Sequence, residues 1–160
     1  MSSYDVWVED QYFKQLEEKE MTERVLVATY GSLRAGNHNY VVNTRAGATS
    51  LGEGWTVENY NLYQYGNAYF PSVSLTHNDN ESKVRVEVFE TDQAGLEGPY
   101  DGLEGHRGND NEYTFYKRTP IQVTLDSGEE VTAWIYHIDE EQETLVKSGD
   151  WTAYLKDGQE

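Results

Sequence analysis

Short apolar runs separated by polar turns dominate this sequence and predict a chain built mainly of β-strands. The first run, Arg24–Thr29, is almost continuously apolar, which is typical of a strand that is buried on both faces. Turn residues separate the later runs, and Asp126–Gly128 predicts a hairpin between the last two. The other predicted strands cover Trp55–Tyr65, Tyr69–Leu75, Lys83–Glu90, Thr114–Leu125 and Glu130–Ile138.

Helical patterns occupy less of the chain. Tyr4–Glu20 spaces its apolar side chains as an amphipathic helix does, and we interpret residues 1–20 as an extension that precedes the main domain, residues 21–160. A short helix is expected at Asn37–Val42, and Asp139–Lys147 has acids in its first turn and lysine in its last. Many strands and few helices predict an α+β domain, a small mixed β-barrel with a few flanking helices.

The charge and cysteine content narrow the classes of function. The chain has 29 acidic and 12 basic residues, a formal net charge of −17, which repels phosphate backbones and anionic lipids. We therefore expect no nucleic-acid partner and no membrane partner. The sequence contains no cysteine, which excludes disulfides and thiolate chemistry. No apolar stretch approaches the ~20 residues that span a bilayer, and no basic leader precedes an apolar run, so we expect a cytoplasmic protein.

The turn Tyr30-Gly-Ser-Leu33 is the first candidate for a binding site. It follows a buried strand directly, and a glycine lets a ligand approach the main chain closely. Backbone N–H groups of such a turn can point into one concavity and bind a carboxylate or a carbonyl oxygen. Taken alone, the spacing also fits an ordinary connection from a strand to a helix.

The segment Tyr100-Asp-Gly-Leu-Glu-Gly105 is the second candidate because it holds two acids beside apolar and aromatic residues. Such surroundings disfavour the charged form of a carboxyl group, which raises its pKa toward the range that is useful for acid/base catalysis. Glu104 is the candidate for that role. Taken alone, Asp101 and Glu104 could equally be two solvated acids among the 29.

The order of these segments resembles the gamma-glutamylcyclotransferase-like family. Its members carry a Tyr-Gly-Ser/Thr-Leu turn after the first strand, a Leu/Phe-Glu-Gly element in mid-chain and then a Tyr-x-Arg strand. The resemblance extends from about Val25 to Trp151. The matching segments here, in chain order, are Tyr30-Gly-Ser-Leu33, Asn37, Leu62-Tyr63 with Phe70-Pro71, Leu103-Glu-Gly105, Tyr116-Lys-Arg118, Ala133-Trp-Ile-Tyr136 and Ser148-Gly-Asp-Trp151.

This resemblance implies a gamma-glutamylcyclotransferase-like fold and a cofactor-independent enzyme of the lyase or acyltransferase type. The reaction it implies is an intramolecular aminolysis that releases 5-oxoproline from a γ-glutamyl amine or γ-glutamyl amino acid. Glu104 would act as general base and then as general acid, and no metal is implied. The residues that would contact this small-molecule substrate are Tyr30, Gly31, Ser32, Leu33 and Tyr116.

Other functions stay open from the sequence. Eleven residues separate Glu104 from Tyr116, a longer loop than related sequences have, and Tyr113 within it competes with Tyr116 for a place in the pocket. A binding or inhibitory protein that has lost turnover but uses the same pocket is therefore an alternative. An esterase with Ser32 as nucleophile is disfavoured because the Gly-x-Ser-x-Gly elbow is missing. The preferred substrate and the oligomeric state are not specified by the sequence.

Overall fold

A closed barrel of five strands forms the main body of the computed structural model, which describes residues 24–31, 41–66 and 70–156. The strands are arranged in the order β1–β5–β2–β6–β7. Strands β1 and β7 run parallel where they close the barrel, and the remaining neighbours in it are antiparallel. The barrel strands are β1 (Arg24–Thr29), β2 (Thr49–Thr56), β5 (Arg85–Asp92), β6 (Lys117–Leu125) and β7 (Glu130–His137).

A second, three-stranded sheet and several short helices accompany the barrel. This sheet has the order β4–β3–β8, with β3 at Asn61–Gln64, β4 at Pro71–Ser74 and β8 at Thr144–Leu145. The α+β barrel predicted from the sequence is thus confirmed. No helix in the described ranges has the length and apolar character needed to cross a bilayer. The helices are α1 (Val41–Arg45), α2 (Gln93–Gly95), α3 (Asp101–Glu104) and α4 (Trp151–Lys156), and a π-helical turn (Leu96–Tyr100) joins α2 to α3.

Strand β1 separates two apolar cores, which explains why its sequence is apolar at nearly every position. Ala28 belongs to the larger core, which also contains residues of β5, β6 and β7. Val25 and Val27 project to the smaller core, which contains Leu96 and Tyr100 of the π-helical turn. Because successive side chains of a strand point to opposite faces, only a strand covered on both faces needs a continuous apolar run. The predicted strand Arg24–Thr29 is confirmed with the same bounds.

Two predictions about secondary structure are wrong. The run Trp55–Tyr65 is not one strand, because β2 ends at Thr56 and β3 begins at Asn61. Asp139–Lys147 forms no helix; it contains the short strand β8. In this segment a carboxylate oxygen of Asp139 accepts a hydrogen bond from the backbone N–H of Leu75 at 3.0 Å and contacts the ring of His137 at 2.7 Å. Tertiary hydrogen bonds therefore override the helical charge pattern.

The helical segment that carries Glu104 was not predicted from the sequence. Asp92 caps its start by accepting a hydrogen bond from the backbone N–H of Gly95 at 2.8 Å. Pro99 lies inside the π-helical turn and has no N–H to donate, so a regular α-helix cannot continue through it. Gly105 ends the segment in the left-handed conformation, with φ of 65°. Other predicted features, the helix over Tyr4–Glu20 and the extension at residues 1–20, lie outside the described residues.

Gly149 provides a test of the packing beside β5. Its φ is 72°, and a Cβ atom there would lie 1.9 Å from the backbone oxygen of Lys83. Gly47 is the matched control, because its φ is 63° and a Cβ atom would meet nothing within 4 Å. We expect Gly47→Ala to lower the free energy of unfolding by about 1 kcal/mol through backbone strain. We expect Gly149→Ala to lower it by roughly a further 1–3 kcal/mol through overpacking. Chemical denaturation measures both, and equal losses would contradict this packing.

Candidate active site

Tyr30 fixes the turn that follows β1. Its side chain is buried, and its hydroxyl donates to the backbone oxygen of Tyr136 at 2.6 Å. The same hydroxyl accepts from the backbone N–H of Val73 at 3.3 Å. Since Tyr136 lies in β7 and Val73 lies in β4, one phenol connects the end of β1 to both sheets. This turn is therefore held in place by three strands.

Gly31 packs directly against a proline of β4. A Cβ atom at position 31 would lie 2.8 Å from Cγ of Pro71, closer than Cβ contacts normally come. The carbonyl oxygen of Pro71 accepts a hydrogen bond from the hydroxyl of Tyr116 at 2.6 Å. The glycine, the proline and the tyrosine thus form one contiguous layer, and the absence of a side chain at Gly31 lets the turn approach this layer closely.

Glu104 is the last residue of α3, and backbone hydrogen bonds attach that helix end to the chain leading into β6. The backbone oxygen of Glu104 accepts from the N–H of Tyr116 at 3.3 Å. The oxygen of Gly105 accepts from the N–H of Phe115 at 2.8 Å. These two bonds bring Glu104 beside Tyr116, although eleven residues separate them in the chain.

The carboxyl group of Glu104 lies in desolvated surroundings near three phenols. Burial raises its pKa from 4.5 to about 8. The group also interacts electrostatically with the hydroxyls of Tyr30, Tyr116 and Tyr136, and it contributes to raising the pKa of each. None of the described residues donates a hydrogen bond to it. A carboxyl group in this state can exchange a proton near neutral pH.

Asp101 lies one helical turn before Glu104 and has very different surroundings. Its two oxygens accept from Nε and Nη2 of Arg118 at 3.0 and 3.3 Å. It also accepts from the hydroxyl of Tyr136 at 2.5 Å. The guanidinium of Arg118 lies 4.6 Å from the ring centre of Trp134, so it is stacked as well as paired. Asp101 therefore forms an ion pair with Arg118, whereas the carboxyl group of Glu104 remains able to exchange a proton.

The structure brings two of the predicted binding residues, Tyr30 and Tyr116, close enough to Glu104 to interact electrostatically with it. Gly31 directly follows Tyr30 and packs against Pro71. Ser32 and Leu33 lie outside the described residues. Tyr113 is 71% exposed, and its competing role is not supported by this position. We did not single out Tyr136 from the sequence, nor the support that Asp101 and Arg118 provide. The signals that could have indicated them are the Tyr-x-Arg spacing of β6 and the three-residue spacing of the two acids.

Comparison with known proteins identifies the family. The model of the family described as gamma-glutamyl cyclotransferase, AIG2-like, matches residues 27–153. The chain belongs to this family. The match begins within β1 and ends within α4, and it includes every residue of the candidate site in the described ranges. The resemblance inferred from the ordered segments is thereby confirmed.

Individual proteins that are similar to this chain support the same conclusion. A protein of Methanocaldococcus jannaschii named "Putative gamma-glutamylcyclotransferase MJ1514" is 36% identical over 131 residues, which are 80% of this chain and 96% of that protein. The crystal structure of PH0828 from Pyrococcus horikoshii is 26% identical with a TM-score of 0.58, covering 84% of this chain and 96% of that one. A mouse AIG2-like protein is 24% identical with a TM-score of 0.61, covering 76% and 82%, and shows the shared fold. Family and relatives together support an enzyme of the cyclotransferase type.

The sheltered state of Glu104 predicts a pH-dependent stability difference. With its pKa at about 8 in the folded chain and near 4.5 in the unfolded one, the folded chain binds more protons between these values. The wild type therefore loses stability as the pH rises through this window. Glu104→Gln removes the loss, so we expect it to exceed the wild type by about 1–3 kcal/mol at pH 9. This advantage should disappear toward pH 4.5, as followed by chemical denaturation.

The matched control is Glu97→Gln, because Glu97 is exposed on the same helical segment. Its stability should follow the wild type across the pH range. An advantage of Glu104→Gln that does not change with pH would contradict the raised pKa of Glu104.

The ion pair between Asp101 and Arg118 predicts that two Asp→Asn variants differ in their free energy of unfolding. Both side chains are largely buried, so Asp101→Asn leaves the guanidinium without its counter-charge and should lower the free energy of unfolding by about 3 kcal/mol. The control is Asp126→Asn. The side chain of Asp126 is 57% exposed, and its partner Arg85 keeps a second acid, Glu53, at 3.3 Å, so this variant should have a much smaller effect. Denaturant titrations measure both, and a larger loss from Asp126→Asn would contradict this assignment.

Proposed function

We propose that this protein is a gamma-glutamyl cyclotransferase that releases 5-oxoproline from a γ-glutamyl amine or γ-glutamyl amino acid, with Glu104 as general base and acid. The observation that carries the proposal is the desolvated carboxyl group of Glu104, with its pKa raised to about 8, beside the turn after β1. Family membership supplies the reaction type. A cytoplasmic location stays a prediction.

The chemistry requires one group that can accept a proton and return it. The α-ammonium of the γ-glutamyl group gives a proton to the Glu104 carboxylate, and the resulting amine attacks the γ-carbonyl carbon. A carbon–nitrogen bond forms and closes the five-membered lactam. Glu104 then returns its proton to the departing nitrogen as the original amide bond breaks. The regenerated carboxylate takes the second proton of the ring nitrogen and passes it to the released amine. A carboxyl group whose pKa lies close to neutral pH is suited to both steps.

An incoming ammonium group also fits the electrostatics of this site. Arg118, the cation bound to this helical segment, is paired with Asp101. A positive charge on the substrate would therefore meet the Glu104 carboxylate directly and favour its ionised form. Substrate binding thus prepares the carboxylate that the first step needs.

The turn after β1 is proposed to hold the γ-glutamyl part. Backbone N–H groups of Gly31, Ser32 and Leu33 would bind the α-carboxylate or the oxygen that gains charge during attack. The hydroxyl of Tyr116 already donates to Pro71, so we propose that Tyr116 contacts the substrate through its ring. No cofactor is required by this scheme, because nucleophile and electrophile are tethered within one molecule.

A panel of γ-glutamyl amines and γ-glutamyl amino acids, with 5-oxoproline as the measured product, tests the proposal. We expect turnover by the wild type and a loss of roughly 10²–10⁴-fold in kcat for Glu104→Gln, because the amide can neither accept nor return the proton. Glu97→Gln is the matched control and should retain wild-type activity. Circular dichroism checks that both variants fold.

Two results would contradict parts of the proposed function. If the folded wild type produces no 5-oxoproline from any member of the panel, a binding or inhibitory protein becomes the better interpretation. If Glu104→Gln retains full activity, another group moves the proton and the assignment of Glu104 is wrong.

A further inference from the structure

Three aromatic side chains from two parts of the chain, the connection between β3 and β4 and the segment before β6, meet next to the candidate site. The rings of Tyr65 and Phe70 are stacked, with centres 5.0 Å apart and an angle of 18° between them. The ring of Phe115 meets both edge-on, at 5.3 Å from Tyr65 and 6.1 Å from Phe70. We call Tyr65, Phe70 and Phe115 the aromatic rim. These ring contacts fix the three side chains of the rim relative to one another.

The aromatic rim lies at the edge of the smaller apolar core, against which Phe70 packs, and keeps exposed surface. Phe115 is 45% exposed, and Tyr65 and Phe70 are partly exposed. Exposed apolar side chains that form a contiguous cluster often mark a binding surface, whereas isolated ones do not. The rim therefore offers apolar surface for an incoming group.

The aromatic rim is continuous with Glu104. The ring of Phe115 meets that of Tyr116 edge-on at 5.1 Å, and the hydroxyl of Tyr116 interacts electrostatically with both Glu104 and Tyr65. On the backbone side, the N–H of Phe115 donates to the oxygen of Gly105, the residue after Glu104. A group bound at the acid can thus extend onto the rim without leaving the protein surface.

The proposed reaction determines which half of the substrate lies on the aromatic rim. The departing nitrogen must come within hydrogen-bond reach of Glu104 to receive its proton, so its substituent begins beside this carboxyl group. The γ-glutamyl half carries an ammonium and a carboxylate, which an apolar surface would not stabilise. Only the departing amine can place an apolar substituent against the aromatic rim.

We propose that the aromatic rim binds the side chain of the departing amine, and that the substrates of this enzyme are γ-glutamyl compounds whose amine carries a bulky apolar group, aromatic ones in particular. This inference rests on the proposed function. The rim then acts as a specificity surface: burial of the departing group against Phe115 contributes to binding, while Glu104 performs the proton transfer.

A comparison of γ-glutamyl-benzylamide with γ-glutamyl-methylamide tests the inference, with 5-oxoproline measured from both. We expect the wild-type kcat/KM to favour the benzylamide by roughly 10–100-fold, as expected when a ring is buried on an apolar surface. Phe115→Ala should reduce this ratio by about tenfold through lost ring contact. Phe115→Leu keeps an apolar side chain and should retain most of the ratio.

Tyr113→Ala is the matched control, because Tyr113 belongs to the same loop and has no ring contact within the described residues. Its ratio should equal that of the wild type. Turnover of both substrates with a wild-type ratio near one, or a ratio that Phe115→Ala does not change, overturns this inference and leaves the proposed function standing. Equal losses for both substrates in Phe115→Ala likewise overturn it, since they indicate a structural role. No 5-oxoproline from either substrate overturns the proposed function and this inference together.

Discussion

The desolvated surroundings of the Glu104 carboxyl group, in a residue that keeps partly exposed surface, are the constraint on which this end of the barrel depends. Burial raises its pKa to about 8, so the folded chain carries a group that would be more stable in solvent. Arg118 is paired with Asp101 and stacked on Trp134. The groups that interact electrostatically with the Glu104 carboxyl group are the phenols of Tyr30, Tyr116 and Tyr136. The arrangement costs stability and leaves a carboxyl group able to take up and release a proton, as functional sites often do.

Main-chain contacts make that arrangement possible. Gly105 ends α3 in a left-handed conformation, and the N–H groups of Phe115 and Tyr116 then hold the helix end against the start of β6. On the opposite side, the hydroxyl of Tyr30 reaches the backbone of β7 and β4. Two stretches of chain more than seventy residues apart thus meet at β7, because the hydroxyl of Tyr30 donates to the backbone of Tyr136 and the hydroxyl of Tyr136 donates to Asp101. The aromatic rim continues this surface away from the acid.

The sequence predicted the parts of the fold that depend on local pattern. Strand β1 was predicted with its observed bounds because both of its faces are covered. The helical segment ending at Glu104 was missed, since Gly95, Gly98 and Pro99 have low helix propensity and only tertiary packing makes the segment helical. The helix predicted over Asp139–Lys147 failed for the opposite reason: its charge pattern fits a helix, but Asp139 binds residues distant in the chain.

The residues of the candidate site divide in the same way, into those that local sequence motifs indicate and those that only the fold brings together. Tyr30, Gly31, Glu104 and Tyr116 could be proposed from ordered motifs, because each motif is short and local. The aromatic rim could not, since Phe115 lies far along the chain from Tyr65 and Phe70 and only the fold brings its ring to theirs.

A crystal structure of the protein with 5-oxoproline tests the central claim most directly. The lactam nitrogen of this product is the atom whose proton Glu104 is proposed to accept. The account predicts that nitrogen at about 3 Å from a Glu104 carboxyl oxygen, with the product carboxylate or carbonyl at the amides after Tyr30. A product bound away from Glu104, or a Glu104 side chain turned into solvent, would contradict the account.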